Sequence, residues 1–172
     1  MKVPNNIFLV GPMGAGKSTV GRQLAKTLNK EFVDCDREIE ERTGVTVAII
    51  FEVEGEEGFR KRERAMIEQL TERDGIILAT GGGVVLEEEN RSRLRTRGFA
   101  VYLNAPIDLL VERTARDRQR PLLQTDDPKA TLVALATERE PLYQQVADMV
   151  VKTDGRTARH VAKEIVRRIS QL

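Results

Sequence analysis

The stretch "IFLVGPMGAGKSTVG", residues 7–21, carries the strongest structural signal in the chain. Its first residues, Ile7–Val10, form a short apolar run of strand length, which predicts a buried strand. The residues that follow match the phosphate-loop pattern G-x-x-x-x-G-K-[ST], with the fixed positions filled by Gly11, Gly16, Lys17 and Ser18. A chance match in a chain of this length is on the order of one per cent. The sequence therefore predicts a strand, a nucleoside triphosphate site and a helix, in that order.

Each residue type in this loop has a physical reason to be there. Glycine allows backbone conformations in which successive N–H groups point at phosphate oxygens, and the helix beginning near Lys17 adds the positive end of its dipole. Lys17 should reach the β- and γ-phosphates, and the Ser18 hydroxyl should bind magnesium. The predicted nucleotide-binding residues of the loop are Gly14, Ala15, Gly16, Lys17, Ser18 and Thr19.

Composition limits the other functions open to the chain. Its 172 residues are most simply one domain, residues 1–172. The 28 Lys and Arg residues balance 27 Asp and Glu residues, so the sequence provides no broad basic field for nucleic acid. No apolar run approaches the roughly 18 residues of a membrane helix, and the single cysteine, Cys35, fits a reducing compartment. We expect a cytoplasmic monomer that binds neither nucleic acid nor membranes.

Short apolar runs alternate along the chain with segments of helical spacing. The runs of strand length are Ile7–Val10, Glu31–Asp34, Ile76–Thr80, Phe99–Leu103 and Asp148–Val151. Helical spacing is seen at Val20, Leu24, Leu28, Ala162, Ile165, Val166 and Ile169. This alternation predicts an α/β fold in which helices cover both faces of a parallel sheet. Ligands of such sheets bind beyond the carboxyl ends of the strands.

The acidic residues after the second strand distinguish this chain from other phosphate-loop proteins. The chain lacks the Asn-Lys-x-Asp motif of a GTPase, and its third strand ends in "GGG", Gly81 to Gly83, where many ATPases have an Asp. The second strand leads into "DCD", and strand alternation would place Asp34 and Asp36 on one face, with Cys35 on the other. Two carboxylates beside the phosphates could serve a metal ion and a hydroxyl nucleophile.

Six blocks of sequence carry a resemblance to a known family: "GPMGAGKST", "DCD", "EGEEGFRKRE", "ATGGG", "RPLL" and "ERxPLY". In this order and spacing, from Ile7 to about Asp154, the chain resembles the shikimate kinases. The resemblance implies transfer of the γ-phosphoryl group of ATP to the 3-hydroxyl of shikimate, on the route to chorismate and the aromatic amino acids. It also implies a five-stranded parallel sheet, a substrate-binding region near 34–62 and a mobile lid near 113–128.

The same resemblance implies roles for the residues that would bind shikimate. Asp36 would hydrogen-bond the substrate hydroxyls and accept the 3-hydroxyl proton, and Asp34 would support Mg²⁺ through water. Arg60 and Arg139 would hold the carboxylate, for which a planar guanidinium is suited. Gly82 would contact the substrate through its backbone.

The arginines of the later segments are implied to bind the nucleotide. Pro121 disfavours helix at Arg120, which suits a lid that brings Arg120 to the transferring phosphoryl group. The resemblance sets Arg113 against the adenine and Arg156 in a variable loop that meets it. Arg118 belongs to the same charged segment as Arg113 and Arg120.

Some residues are expected to have only structural roles. Pro141 should end the helix that carries Arg139, and His160 should lie on the surface. The charges next to Arg60 should form a solvated helix face: Lys61, Arg62 and Arg64. Two alternatives to a shikimate kinase stay open, a gluconate-kinase-like enzyme and a non-catalytic nucleotide-binding regulatory module.

Overall fold

Five strands form one parallel sheet in a computed structural model that describes residues 3–117 and 120–172. The strands are β1 (Ile7–Val10), β2 (Glu31–Asp34), β3 (Ile76–Ala79), β4 (Phe99–Asn104) and β5 (Met149–Lys152). Their order is β2-β3-β1-β4-β5, and every pairing is parallel. All five predicted strands are confirmed, with ends that differ by no more than one residue.

Helices cover this sheet. They are α1 (Lys17–Leu28), α2 (Cys35–Thr43), α3 (Val47–Leu70), α4 (Glu88–Arg97), α5 (Ile107–Thr114), α6 (Pro128–Val146) and α7 (Ala158–Ile169), with short 3-10 helices at Val84–Leu86 and Pro121–Leu123. Among the residues that the structure describes, no helix combines the length and apolar character needed to cross a lipid bilayer. His160 is exposed on α7, as predicted, and Cys35 is buried.

Alternate residues of β1 face two separate apolar cores. Ile7 and Leu9 belong to the core against which α1 and α7 pack, and Phe8 and Val10 belong to the core under α3 and α4. A strand whose two sides are both buried reads as a continuous apolar run. The three layers confirm the predicted sheet with helices on both faces.

Helix α3 is broken near its middle. Gly55 has φ 73° and ψ 179°, a left-handed conformation that favours glycine. Residues 47–54 therefore form a separate helical segment, and residues 56–70 pack on the sheet through Met66, Ile67 and Leu70. The break lets the first segment approach the ends of the strands while the second stays in the core.

The prediction that Pro141 ends a helix is wrong. Pro141 lies inside α6, which continues to Val146. Proline in a helix interior costs about 3 kcal/mol because it lacks an N–H and clashes with the preceding turn. Pro141 is exposed, whereas Arg139, Tyr143 and Val146 are buried on the inner side of the helix. Burial of this inner face offsets the cost of the proline.

The reason given for the proximity of Asp34 and Asp36 is also wrong. Strand β2 ends at Asp34, and Asp36 lies in the first turn of α2. The Asp34 carboxylate accepts the backbone N–H groups of Asp36 and Arg37 at 3.1 and 3.3 Å, which makes it the N-cap of α2. The two carboxylates are neighbours through helix capping and not through strand alternation.

Candidate active site

One cleft of about 750 Å³ lies where the chain leaves β1, β2, β3 and β5. Every residue predicted to bind a ligand lines it: Gly14, Ala15, Gly16, Lys17, Ser18, Thr19, Asp34, Asp36, Arg60, Gly82, Arg113, Arg120, Arg139 and Arg156. These residues come from distant parts of the sequence, and the parallel sheet gathers them because the carboxyl ends of its strands share one edge.

The phosphate loop is held open by its own backbone. Gly14 and Gly16 have φ values of 81° and 93°, which favour glycine. The Lys17 ammonium group donates to the carbonyl oxygens of Gly11 and Pro12 at 2.6 and 2.8 Å. No side chain of the described residues caps the start of α1, so its first N–H groups can bind an anion.

Burial, followed by the nearby Arg120 guanidinium, lowers the pKa of Lys17 to about 7, against the charges of Asp36 and Asp34. A buried ammonium group is more costly than a hydrated one unless an anion accompanies it. A phosphate group in the loop would supply that anion and favour the charged form of Lys17.

Ser18 and Asp34 form a pair of oxygen ligands beside the loop. The Ser18 hydroxyl donates to Asp34 Oδ2 at 2.7 Å. Hydroxyl and carboxylate oxygens suit Mg²⁺, which commonly takes one or two protein ligands and completes its shell with phosphates and water. Within residues 3–117 and 120–172, no cluster of three or more acidic, His or Cys side chains offers another metal site. The pair therefore fits a magnesium ion bound together with a nucleotide.

Asp36 is half-buried, and one of its carboxylate oxygens is enclosed without a hydrogen-bond donor. Burial, followed by the charge of Asp34, raises its pKa to about 6, while Lys17 and Arg120 act in the opposite direction. Its Oδ1 atom has no hydrogen-bond partner in the described part of the chain. A buried acceptor without a donor indicates a place for a ligand hydroxyl. A pKa near neutrality also suits a general base.

Sequence reasoning missed Glu63. This residue lies on α3, is 1% exposed, and accepts a bond from Arg60 Nη1 at 2.9 Å through Oε1. Burial raises its pKa to about 7, against the charge of Arg60. Its Oε2 atom is buried and has no partner among the described residues. Glu63 follows Arg60 by three residues, a spacing that places both side chains on one face of a helix. Because neighbouring residues are also charged, this spacing alone does not distinguish Glu63 from surface residues.

The predicted solvated helix face next to Arg60 is confirmed for two of its three residues. Lys61 and Arg62 are exposed. Arg64 is half-buried, since it pairs with Glu87 at 2.7 Å across to the start of α4. Arg62 pairs with Glu54 instead. Of the charges in this run, Arg60 and Glu63 are the two that face the cleft.

The glycines at 81–83 leave room for charged side chains. A Cβ atom on Gly83 would lie 2.3–2.5 Å from the Arg60 guanidinium, so a side chain there would displace that guanidinium from its present position. A Cβ atom on Gly81 would lie 2.9 Å from Glu63 Oε2. None of these glycines has a left-handed φ. Glycine at 81 and 83 therefore keeps the Arg60 and Glu63 charged groups in place, and turn geometry does not account for these glycines.

Arg139 is a buried cation without an acidic partner. It lies on α6 and is 3% exposed, and its Nη1 atom is 3.5 Å from the position that a Gly82 Cβ would take. No carboxylate of the described residues lies within 4 Å of its nitrogens, and its Nε atom has no hydrogen bond. A buried, unpaired charge is strongly unfavourable. An anionic ligand between Arg139 and Arg60 would remove that cost.

The segment predicted as a lid begins in a helix. Arg113 lies in the last turn of α5 and donates to the Gly14 carbonyl at 2.9 Å. Arg120 has extended φ and ψ of −101° and 101° before Pro121, as predicted, and its Nε atom lies 2.9 Å from Asp117. Arg118 lies outside the described residues. On the other side of the loop, Arg156 contacts the Glu164 carboxylate and the Lys152 carbonyl.

A phosphate loop, two carboxyl groups and a pair of inward guanidinium groups define a phosphate-loop kinase for a small anionic acceptor. The chain belongs to the shikimate kinase family, whose profile matches residues 13–170.

Similar proteins agree with this assignment. The shikimate kinase of Vibrio campbellii is 58% identical over 171 residues, which is 99% of each chain. A structure of shikimate kinase from Acinetobacter baumannii in complex with shikimate is 49% identical and has a TM-score of 0.96. The match covers 97% of this chain and 93% of that one. A gluconokinase from Sinorhizobium meliloti shares the fold alone, since it is 18% identical and has a TM-score of 0.57. The match covers 99% of this chain and 94% of the gluconokinase.

Proposed function

We propose that this protein transfers the γ-phosphoryl group of ATP to the 3-hydroxyl of shikimate, giving shikimate 3-phosphate and ADP, in the biosynthesis of chorismate and the aromatic amino acids. The observation that carries the proposal is the buried Arg139 guanidinium, which faces the cleft without a carboxylate partner among the described residues. A gluconate-kinase-like enzyme would also phosphorylate a carboxylic acid, but the family match favours shikimate.

The acceptor would be held by charge at one end and by hydrogen bonds at the other. Arg60 and Arg139 would bind the carboxylate with charge-assisted hydrogen bonds, and the Gly82 backbone would contact the ring substituents. The unpaired oxygens of Asp36 and Glu63 are acceptors for hydroxyl groups. Glu63 would also hold the Arg60 guanidinium in place.

Asp36 would act as the general base. It would take the proton of the 3-hydroxyl group as that oxygen bonds to the γ-phosphorus and the bond to the β-phosphate oxygen breaks. The pKa of about 6 leaves Asp36 mostly ionised near neutral pH and still basic enough to accept a proton.

Positive groups would neutralise the charge on the transferring phosphoryl group. Lys17 would exchange the Gly11 and Pro12 carbonyls for phosphate oxygens, and Arg120 would turn from Asp117 to the γ-phosphate. Ser18 and Asp34 would hold Mg²⁺, Asp34 through water. A bound magnesium ion would supply positive charge that partly neutralises the phosphates.

The other predicted residues would bind the rest of the nucleotide. The loop N–H groups from Gly14 to Thr19 would hold the phosphates, and Arg113 and Arg156 would contact the adenine. Residues 1–172 would form one kinase domain, with a substrate-binding region near 34–62 and a lid near 113–128. Both segments border the cleft.

A coupled assay of ADP release tests the function directly. Purified protein with MgATP is given shikimate, gluconate or no acceptor. We expect rapid ADP release only in the mixture with shikimate. Release with gluconate but not shikimate would establish the gluconate-kinase alternative. Equal, slow release in all three mixtures, with nucleotide binding intact, would favour a regulatory module.

A further inference from the structure

Two tyrosines with contacting rings lie beneath the glycine loop at 81–83. Tyr102 of β4 and Tyr143 of α6 are each 1% exposed, and their ring centroids are 5.1 Å apart. Their hydroxyl groups have different partners. Tyr143 donates to the Gly82 carbonyl at 2.6 Å, whereas Tyr102 donates to the Glu140 carboxylate.

Tyr143 supplies the bond that the loop does not make for itself. The Gly81 and Gly83 carbonyls accept the N–H groups of Val84 and Leu86 at 3.2 and 3.1 Å. The Gly82 carbonyl accepts from Tyr143. In the part of the chain that the structure describes, the N–H groups of residues 81–83 donate to no protein acceptor. The loop therefore has its carbonyls paired and its N–H groups free beside the cleft.

The Tyr143 bond controls the orientation of one peptide plane. The peptide between Gly82 and Gly83 has no Cβ atom on either side, so side chains offer little resistance to its rotation. It is trans, and the C=O and N–H of a trans peptide point in opposite directions. A hydroxyl that fixes the Gly82 carbonyl therefore also fixes the Gly83 N–H on the side away from Tyr143.

Helix α6 brings this hydroxyl and the Arg139 guanidinium to the same loop. Arg139 and Tyr143 are four residues apart, so they lie one above the other on the buried face of α6. Arg139 Nη1 lies 3.5 Å from the position that a Gly82 Cβ would take, and both residues line the cleft. Burial raises the pKa of Tyr143 to about 12, although Arg139 acts in the opposite direction, so the hydroxyl keeps its proton at neutral pH.

We propose that Tyr143 is a positioning residue for the acidic substrate, because its hydroxyl fixes the Gly82–Gly83 peptide with its N–H toward the cleft and the Arg60–Arg139 pair. This inference rests on the proposed function, and it gives the loop glycines a partner that holds them in the binding conformation before the substrate arrives. Without that hydroxyl, substrate binding must select the correct orientation of the peptide.

The test compares Tyr143→Phe with Tyr102→Phe. Each variant removes one hydroxyl from the same pair of contacting rings, but only the Tyr143 hydroxyl contacts the glycine loop. Shikimate affinity is measured by calorimetry without nucleotide, and steady-state rates give the KM values of shikimate and ATP. We expect Tyr143→Phe to weaken shikimate binding about 5- to 30-fold, with the KM of ATP changed less than about twofold. Tyr102→Phe should change neither by more than about twofold.

Amide hydrogen exchange gives a second measurement that needs no activity. Exchange at Val84, whose N–H donates to the Gly81 carbonyl, should be faster in ligand-free Tyr143→Phe than in the unmodified protein and Tyr102→Phe. In the unmodified protein, shikimate should slow exchange at Gly83, a result that holds even if a variant folds poorly. Unchanged exchange at Gly83 on binding overturns the inference.

The outcomes separate this inference from the proposed function. An unmodified protein that neither binds nor phosphorylates shikimate overturns both. An unmodified protein that phosphorylates shikimate, with equal affinity in Tyr143→Phe or equal losses in the two variants, overturns the inference alone.

Discussion

Substrate selection should depend on Arg139, and the substitution Arg139→Ala tests this. The guanidinium is buried at the cleft and has no acidic partner among the described residues. Its favourable partner is therefore expected to be the substrate carboxylate. Arg139→Lys keeps the charge but loses the planar pair of donors. Arg62→Ala removes an equal charge from the exposed side of α3 and serves as the control.

The magnitude follows from burial. Truncation of one partner of a desolvated, hydrogen-bonded charge pair costs roughly 2–5 kcal/mol of binding free energy. Each 1.4 kcal/mol is about tenfold in affinity, so shikimate binding should weaken by about 30-fold or more. The free energy of unfolding should fall by less than the binding free energy, because the substitution also removes an unpaired buried charge from the free protein.

Initial rates with shikimate and its methyl ester measure the effect. The ester keeps every hydroxyl group and loses the negative charge. In the unmodified protein, kcat/KM should be far lower for the ester than for shikimate. Arg139→Ala should raise the KM of shikimate at least about 30-fold, leave the KM of ATP within about twofold, and reduce the difference between acid and ester. Arg139→Lys should have a KM for shikimate between those of the unmodified protein and Arg139→Ala.

Two results would refute the carboxylate clamp. One is phosphorylation of the ester by the unmodified protein as efficiently as shikimate. The other is a rise in the shikimate KM of Arg62→Ala equal to that of Arg139→Ala, which would make the effect one of net charge and not of contact.

Three further predictions concern the phosphate loop, the lid and the buried acid. Lys17→Ala should abolish turnover with an unchanged circular dichroism spectrum; a folded variant with near-normal kcat would contradict it. Hydrogen exchange at 113–128 should slow with nucleotide and slow further with shikimate, and equal exchange in all states would exclude a ligand-ordered lid. Burial raises the pKa of Glu63 from its ordinary 4.5 to about 7 in the folded protein. Between pH 4.5 and 7 the folded protein therefore binds more protons than the unfolded chain. Its free energy of unfolding should therefore fall as pH rises through that window, and Glu63→Gln should remove roughly 2.5 kcal/mol of that fall in urea titrations at pH 5 and 8; parallel curves would disprove it.

The fold was predictable because its signals are local. A parallel strand buried on both faces is a continuous apolar run, as β1 and β3 are. All five predicted runs became strands. The phosphate loop carries its own conformation in Gly14 and Gly16. Once the order of strands and helices is known, the residues after each strand must meet at one edge. The cytoplasmic location and the monomeric state stay predictions.

The errors arose where tertiary packing decides local structure. Pro141 ends a helix by local rules, yet the buried Tyr143 and Val146 continue α6 past it. Asp36 was assigned to a strand because the capping of α2 by Asp34 leaves little trace in three residues of sequence. Glu63 belongs to a run of charges in which only the direction of each side chain separates a surface residue from a buried one.

The pKa shifts of the ionisable groups in the cleft share one main cause, which is burial. It is the largest contribution to the pKa shifts of Lys17, Asp36 and Glu63, and each shift favours the neutral form of its group. The free cleft therefore holds charges that water no longer stabilises. A triphosphate beside Lys17 and hydroxyl groups beside the two acids would supply the missing partners, and the charged forms would regain stability. We therefore expect ligand binding and protonation to be coupled in this site, with substrates favouring the charged forms of Lys17, Asp36 and Glu63.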